Sequence, residues 1–193
     1  LSETRNNLHL PEKFILYLGN FKPHKNVETL VRAFNKIAAQ FPEHKLVLAG
    51  PMDAHGNRVR KFVEKENRLD RVVFTGTIRE KDRPEALLSM ADIFVFPSFY
   101  EGFGLPPLEA MACGVPVIAS NATSIPEVVG DAGILFDPNN VDELGNAMVR
   151  LLSDPLMKSQ LIAKGLERAK FFREEQTAGA ICKLLIHLLE GQS

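Results

Sequence analysis

Cysteine is scarce in this chain: there are two, Cys113 and Cys182, far apart and in different predicted helices. Neither lies in a metal-binding or redox spacing, so a disulfide scaffold and a zinc site are disfavoured. Two reduced thiols of a cytosolic protein are expected. No run of about 18 apolar residues occurs, so no membrane-spanning helix is expected. An excess of charge of one sign is also lacking. The net charge of −1 draws no polyanion to the whole surface, and any phosphate has to be met by local positive charge. The start, Leu1 to Pro11, is polar and has no apolar stretch of the signal-peptide kind. It also has no initiator Met, which leads us to expect a fragment or a processed chain. There is no internal repeat, no low-complexity segment and no metal-ligand cluster. No G-x-G-x-x-G follows the first predicted strand, which disfavours a dehydrogenase.

What is present is an ordinary globular composition: 45% apolar and 24% charged over 193 residues, enough for one domain with its own core. Residues 1–13 read as a tail or linker. Phe14–Gly19 is a continuous apolar run closed by glycine, the pattern of a strand buried on both faces. Further strands are predicted at Lys45–Gly50, Val72–Gly76, Ile93–Phe96, Val117–Ser120 and Gly133–Phe136. Helical spacing predicts helices at Val27–Gln40, around Val59–Asn67, at Asp82–Met90, Val141–Leu152 and Pro155–Phe172, with Asn139 or Asn140 capping the fourth. Pro126–Val129 reads as a turn. A last amphipathic helix is expected over Thr177–Glu190. Six strands alternating with helices over short connections imply right-handed crossovers and a doubly wound, mostly parallel α/β sheet of Rossmann-like type. Ligands of such sheets bind at the carboxyl ends of the strands. The glycine-bearing loops at Gly19, Gly50, Gly76 and Gly102-Phe103-Gly104 should therefore converge on one end of the sheet.

One stretch organises the rest: Pro97-Ser98-Phe99-Tyr100-Glu101-Gly102-Phe103-Gly104-Leu105-Pro106-Pro107-Leu108-Glu109, continuing to Gly114-Val115-Pro116-Val117. It reads as a strand end, a glycine turn, a short helix and the next strand. Gly102 and Gly104 let the backbone bend and approach a ligand without a Cβ in the way. Pro106 and Pro107 suit a first helical turn, where no N–H is lost. Gly114 is placed to close the helix, and Pro116 prevents its continuation. The free N–H groups at such a helix start form an anion site.

Glu101 and Glu109, enclosing Gly-Phe-Gly-Leu-Pro-Pro-Leu, resemble the nucleotide-sugar signature of retaining glycosyltransferases built from two Rossmann-like domains (GT-B; group 1, family 4-like). The likeness is to the C-terminal, donor-binding domain and runs from about Phe14 to about Phe172. It implies a nucleotide-sugar domain over 14–172 and, over 173–193, a terminal helix that crosses to the first domain in whole enzymes. It also implies that Lys25 meets the donor diphosphate, with Gly19 and Asn20 in the same loop. Asn20 stands where the family usually carries an Arg. Glu109 would accept from the ribose hydroxyls, and Glu101 would face the donor sugar as nucleophile, as transition-state stabiliser or as a hydroxyl ligand. Phe103, Gly104 and Leu105 would act on the diphosphate through backbone N–H groups. Thr77-Ile78-Arg79 resembles the segment that meets the base, and Ile125-Pro126-Glu127 a structural Pro-Glu turn. The implied reaction is transfer of a hexosyl group from a nucleoside-diphosphate sugar, with no metal and no other cofactor. The Gly-Asn-Phe-Lys-Pro-His-Lys-Asn loop is similar to that of bacterial mannosyltransferases of polysaccharide assembly, which gives mannose as the first expectation. The acceptor would belong to a first domain with no sequence here, leaving this chain alone inactive. The place of action would be the cytoplasm, with any membrane contact made by that other domain.

Each residue also has a plainer reading. Lys25 can be a solvated lysine before a helix, and Glu109 a carboxylate steadied by a helix dipole. Of His9, His24, His44, His55 and His187, scattered mostly through polar loops, only His24 lies beside the candidate site. The stripe Ala178, Ile181, Cys182, Leu185, Leu188 and Leu189 either folds onto its own domain or invites association. A non-catalytic nucleotide-binding or interaction domain is the alternative from another class, and an epimerase on the same fold is a third.

Overall fold

A computed structural model describes residues 1–172. The chain runs α1 (Ser2–Asn7), β1 (Lys13–Leu18), α2 (Val27–Ile37), β2 (His44–Ala49), α3 (Ala54–Lys65), β3 (Val72–Gly76), α4 (Pro84–Ser89) and β4 (Ile93–Phe96). It continues with α5 (Leu105–Ala112), β5 (Val117–Ser120), α6 (Ile125–Val129), β6 (Gly133–Phe136), α7 (Val141–Ser153) and α8 (Pro155–Lys170). Short 3-10 turns lie at Pro23–Lys25 and Glu80–Asp82. The six strands form one sheet in the order β3-β2-β1-β4-β5-β6, and every pairing is parallel.

The strand sequences explain why the sheet is covered on both faces. Successive side chains point to opposite sides. Ile15, Tyr17, Leu46, Leu48, Ile93, Val95 and Ile118 enter one core with α2, α3 and α7. Phe14, Leu16, Val47, Ala49, Phe94, Phe96, Val117 and Ala119 enter the other with α4, α5 and α6. Past Lys13 at the exposed start of β1 and the half-buried Lys45 of β2, the positions of β1, β2 and β4 lie between these layers, hence the long apolar runs. α8 lies against α5 at Gly165, where a Cβ would come within 3.1 Å of Met111 Cγ.

The order 3-2-1-4-5-6 places the change of winding direction between β1 and β4, where an open α/β sheet forms its ligand crevice. The loops after these two strands carry Lys25 and Glu101. The β1 and β2 ends also approach closely. Gly19 N donates to Ala49 O at 2.9 Å, and a Cβ on Gly50 would lie 2.0 Å from Gly19 O, so only glycine fits there.

Four expectations change. Residues 1–13 are not all tail: Ser2–Asn7 is helical, Thr4 and Leu10 are buried, and Lys13 already belongs to β1. α3 starts five residues earlier than the apolar spacing indicates, at Ala54 instead of Val59, because Asp53 caps it by accepting from His55 N at 2.9 Å and Gly56 N at 3.0 Å. The Pro126–Val129 turn is a short helix, α6. His44 is the buried first residue of β2, not a loop residue. The helix expected over Thr177–Glu190, with Cys182 and His187, lies outside the described residues.

Candidate donor site

The central stretch folds as its residues dictate. Gly104 caps α5 at φ 112°, in the left-handed region that glycine enters without a Cβ penalty. Pro106 and Pro107 sit in the first turn. At the far end Val115 N donates to Ala110 O and Gly114 N to Met111 O, both at 3.0 Å, with Gly114 at φ 72°. This paired closure is the Schellman motif. Among the described residues, the amide N–H groups of Gly102, Phe103, Gly104 and Leu105 donate to no protein acceptor. They lie at the positive end of the α5 dipole.

Beside them the β1 loop delivers its cation. Lys25 Nζ meets Glu101 Oε1 at 2.5 Å, and each side chain is 14% exposed. The ammonium also lies over the Phe96 ring, 5.5 Å from its centroid. Two ties hold the loops in register: Phe99 N donates to His24 O at 2.8 Å, and Asn26 Nδ2 donates to Pro97 O at 3.1 Å and Pro138 O at 2.8 Å. Asn26 adopts φ 54° to do this, a conformation asparagine tolerates better than most residues. Beneath the pair, the Tyr17 hydroxyl donates to Asn20 O. Burial, and secondly the Glu101 charge, push the Tyr17 phenol far above its ordinary range, so it stays protonated.

Glu101 is held from the other side by the turn before α6. Thr123 Oγ1 accepts from Glu101 N at 3.1 Å, and Ser124 Oγ lies 3.0 Å from Glu101 O and 2.9 Å from Phe103 O. Arg168 of α8 in turn donates to the carbonyls of Val128 and Glu127, closing α6. The backbone of Glu101 is thus fixed, while its carboxylate meets Lys25 as its one ionic partner among the described residues.

The other expected residues are placed as follows. Asn20 turns its side chain inward to the loop, Oδ1 accepting from Lys22 N at 3.2 Å, while Lys22 is exposed. Gly104 is buried, and Phe103 and Leu105 project outward with Phe99 and Tyr100. Ile78 packs against the core on the α5 side of the sheet. Glu109 stands apart from the Lys25–Glu101 pair. It is exposed on α5, and its carboxylate has no hydrogen-bond partner among the described residues. Burial first, then the charges of Glu85 and Glu109, raise the thiol of Cys113. A hollow of about 170 Å³ between Phe21, Lys22, Asn26, Arg58 and Phe99 borders the β1 loop on its other side. Among the described residues no three His, Cys, Asp or Glu side chains are grouped to hold a metal, and no helix is long and apolar enough to cross a membrane.

Sequence reading missed Tyr17, Asn26, Thr123 and Ser124. Asn26 had a local signal, an Asn directly before a helix. Tyr17 acts locally, on Asn20 O three residues on, while Thr123 and Ser124 reach a loop more than twenty residues away, and nothing in their sequence neighbourhood announces it.

The sequence matches the family of glycosyl transferases group 1 over residues 2–168. The chain belongs to this family. It is 40% identical over 163 residues to the O-antigen chain mannosyltransferase B of Escherichia coli, an alignment covering 84% of this chain and 42% of that protein. Sucrose-phosphate synthase from Thermosynechococcus elongatus superposes with a TM-score of 0.82 at 34% identity, covering all of this chain and 50% of the synthase chain. The C-terminal domain of a glycosyl transferase group 1 family protein from Francisella tularensis matches in fold with a TM-score of 0.76 at 24% identity, covering 88% of this chain and 91% of that domain. The chain thus spans half the length or less of the mannosyltransferase and the synthase, and it corresponds to the C-terminal domain of the GT-B architecture. In this chain the Lys25–Glu101 pair and the free amides at the start of α5 lie at the carboxyl ends of β1 and β4, where the sheet order changes direction.

Proposed function

We propose that this domain binds the nucleoside-diphosphate sugar of a retaining hexosyltransferase, with a mannosyl donor as the first candidate. The observation that carries the reading is the largely shielded Lys25–Glu101 pair at the carboxyl ends of β1 and β4, beside four amides at the start of α5 that are free among the described residues. Lys25 and the amides of Phe103, Gly104 and Leu105 hold the diphosphate. As the glycosidic bond breaks, negative charge grows on the leaving diphosphate. Dipoles already pointing there stabilise that charge without reorganising. Glu109, exposed on the same helix and without a partner among the described residues, accepts from the ribose hydroxyls. Glu101 faces the sugar, and Gly19, Asn20 and Ile78 line the approach of diphosphate and base. The charge is met by protein groups, so chelation of divalent ions should leave nucleotide binding unchanged.

The mannosyl candidate draws on the identity to the Escherichia coli mannosyltransferase. The acceptor is assigned to the part of a longer protein that lies outside this chain, which would also cover the exposed Phe99, Tyr100, Phe103 and Leu105. On this reading the chain alone transfers no sugar, and the whole protein acts in the cytoplasm. Calorimetric titration of the chain with GDP, UDP and ADP tests the donor site. One nucleotide should bind, and Lys25→Ala and Glu109→Ala should each weaken it about tenfold or more. Equal binding by wild type and both variants would sink the reading. So would turnover by the isolated chain, as far as the assignment of the acceptor is concerned. The anomeric configuration of product from a longer protein, read by NMR, decides retention.

A further inference from the structure

We propose that the Lys25–Glu101 ion pair is an internal competitor of the donor. Glu101 occupies the ammonium that the diphosphate needs, and donor binding moves Lys25 from carboxylate to phosphate, releasing Glu101 toward the sugar. The inference rests on the donor-site reading above and adds a coupling between its two halves.

The pair itself is close, at 2.5 Å, and largely shielded from water, so it competes strongly with any incoming anion. It is not required as a strut. The loops that carry it are already joined by the Phe99 N–His24 O bond and by Asn26 Nδ2 on Pro97 O. When Glu101 leaves, Lys25 keeps a second seat over the Phe96 ring. When Lys25 leaves, the backbone of Glu101 stays pinned by Thr123 and Ser124, so its carboxylate can swing without the loop moving.

Among the described residues, neither Asn20 nor Tyr17 relieves the competition. Asn20 is neutral, with its Oδ1 taken by Lys22 N. Tyr17 remains protonated and donates to Asn20 O, so it neither replaces Lys25 nor neutralises Glu101. A diphosphate brings more than one negative charge next to a carboxylate. The single positive charge of the ammonium is already neutralised by the carboxylate at 2.5 Å, so it answers the phosphate charge in full only once the carboxylate has turned away. The site therefore binds by exchange.

The test uses the sign of an effect. The chain is titrated with GDP and with UDP as wild type, Glu101→Gln, Lys25→Ala and the double variant, with thermal unfolding verifying each fold. Lys25→Met, which keeps an aliphatic stem over Phe96, replaces Lys25→Ala if that variant does not fold. Glu101→Gln should bind the preferred nucleotide about five- to tenfold more tightly than wild type, although it removes a functional carboxylate. Lys25→Ala should bind at least about tenfold more weakly. In the Lys25→Ala background the gain from Glu101→Gln should shrink to within about twofold. Unchanged or weaker binding by Glu101→Gln overturns the inference and leaves the donor site standing. So does a gain that persists in full without Lys25, which would be charge repulsion at a distance. Absence of binding by both wild type and Glu101→Gln overturns the donor-site reading, and this inference with it.

Discussion

At the amino ends of the strands, Asp92 accepts from Phe14 N at 3.2 Å and Lys158 Nζ at 3.0 Å, with His44 Nε2 at 3.5 Å. At the carboxyl ends, among the described residues, Glu101 has a single cation at 2.5 Å, and free amides beside it. Both carboxylates stand at loops flanking β4, one before it and one after. The difference is in how completely they are answered. Asp92 also ties its own amide back to Phe14 O at 2.9 Å, so the start of β1, the start of β4 and α8 are locked by one residue. Nearby, Arg71 donates to the carbonyls of Ala38, Phe41 and His44, closing the turn between α2 and β2. At the other end, donors are left over and charge is under-answered. Polar groups held in surplus are a cost to the fold and a resource for a ligand. Among the described residues, one end of the sheet closes its polar groups on one another, and the other leaves amide donors open.

Substitutions that break this contrast should separate the two ends by what they change. The largest effect belongs to Glu101. In a longer protein that carries transferase activity, Glu101→Gln should lower turnover on the order of a hundred- to a thousandfold. Its thermal midpoint should stay near that of wild type, and a matching loss of stability would move Glu101 to the structural side. Arg71→Ala is the reverse case. It takes a donor from three carbonyls, of which Phe41 O keeps the His44 amide, and removes the cation 5.8 Å from the Phe34 ring, so it should destabilise the chain by about 3 kcal/mol in denaturant titration. Nucleotide affinity, measured where the variant is folded, should not change.

Asp92→Asn comes next, at about 2 kcal/mol. Burial alone would raise the Asp92 carboxyl, but hydrogen bonds and charge from His44 and Lys158 outweigh it and hold the pKa down to about 2, against an ordinary 3.8. The sign follows. A depressed folded pKa stabilises the protein above 3.8, and that contribution is lost as pH falls from about 4 toward 2. Stability of wild type should therefore converge on that of Asp92→Asn across this window. A constant gap down to pH 2 would mean that Asp92 acts through its shape and hydrogen bonds and not through its charge.

The same contrast explains what the sequence made legible. The strands were plain because a parallel sheet covered on both faces needs unbroken apolar runs, and β1, β2, β4 and β5 supply them. The α5 start and stop were plain because Gly104, Pro106, Pro107 and Gly114 do local work. The early start of α3 was hidden because its first turn, Ala54 to Asn57, carries no apolar stripe and only Asp53 marks it. Lys25 and Glu101 could each be singled out, yet their contact spans 76 residues and exists because β1 lies beside β4. The clamp on Glu101 is less visible still. Thr123 and Ser124 lie in a loop whose place is set by β5 pairing with β4, and Thr123 takes φ 50° with no glycine to signal the turn.

That clamp gives the smallest and most diagnostic prediction. Ser124 Oγ has one proton to share between Glu101 O and Phe103 O, at 3.0 and 2.9 Å. Removing it in Ser124→Ala forfeits about 1 kcal/mol, which for a chain of this size lowers the thermal midpoint by about 2–4 °C. The carbonyls it leaves lie at the open end of the sheet, where water can take its place, so the loss is less than for Arg71. Thr123 still holds Glu101 N, so the loop should keep its path and lose tightness. Nucleotide affinity should then fall about two- to fivefold, because the amides of Phe103 and Gly104 are no longer fixed in advance and ordering them is charged to binding. The comparison that decides is with Asp92→Asn, which lowers stability at least as much. If both variants weaken the nucleotide equally, the effect is general softening of the fold. If only Ser124→Ala does, the turn before α6 sets the geometry of the site, and Arg168, which closes the other end of α6, becomes the next residue through which that geometry can be tuned.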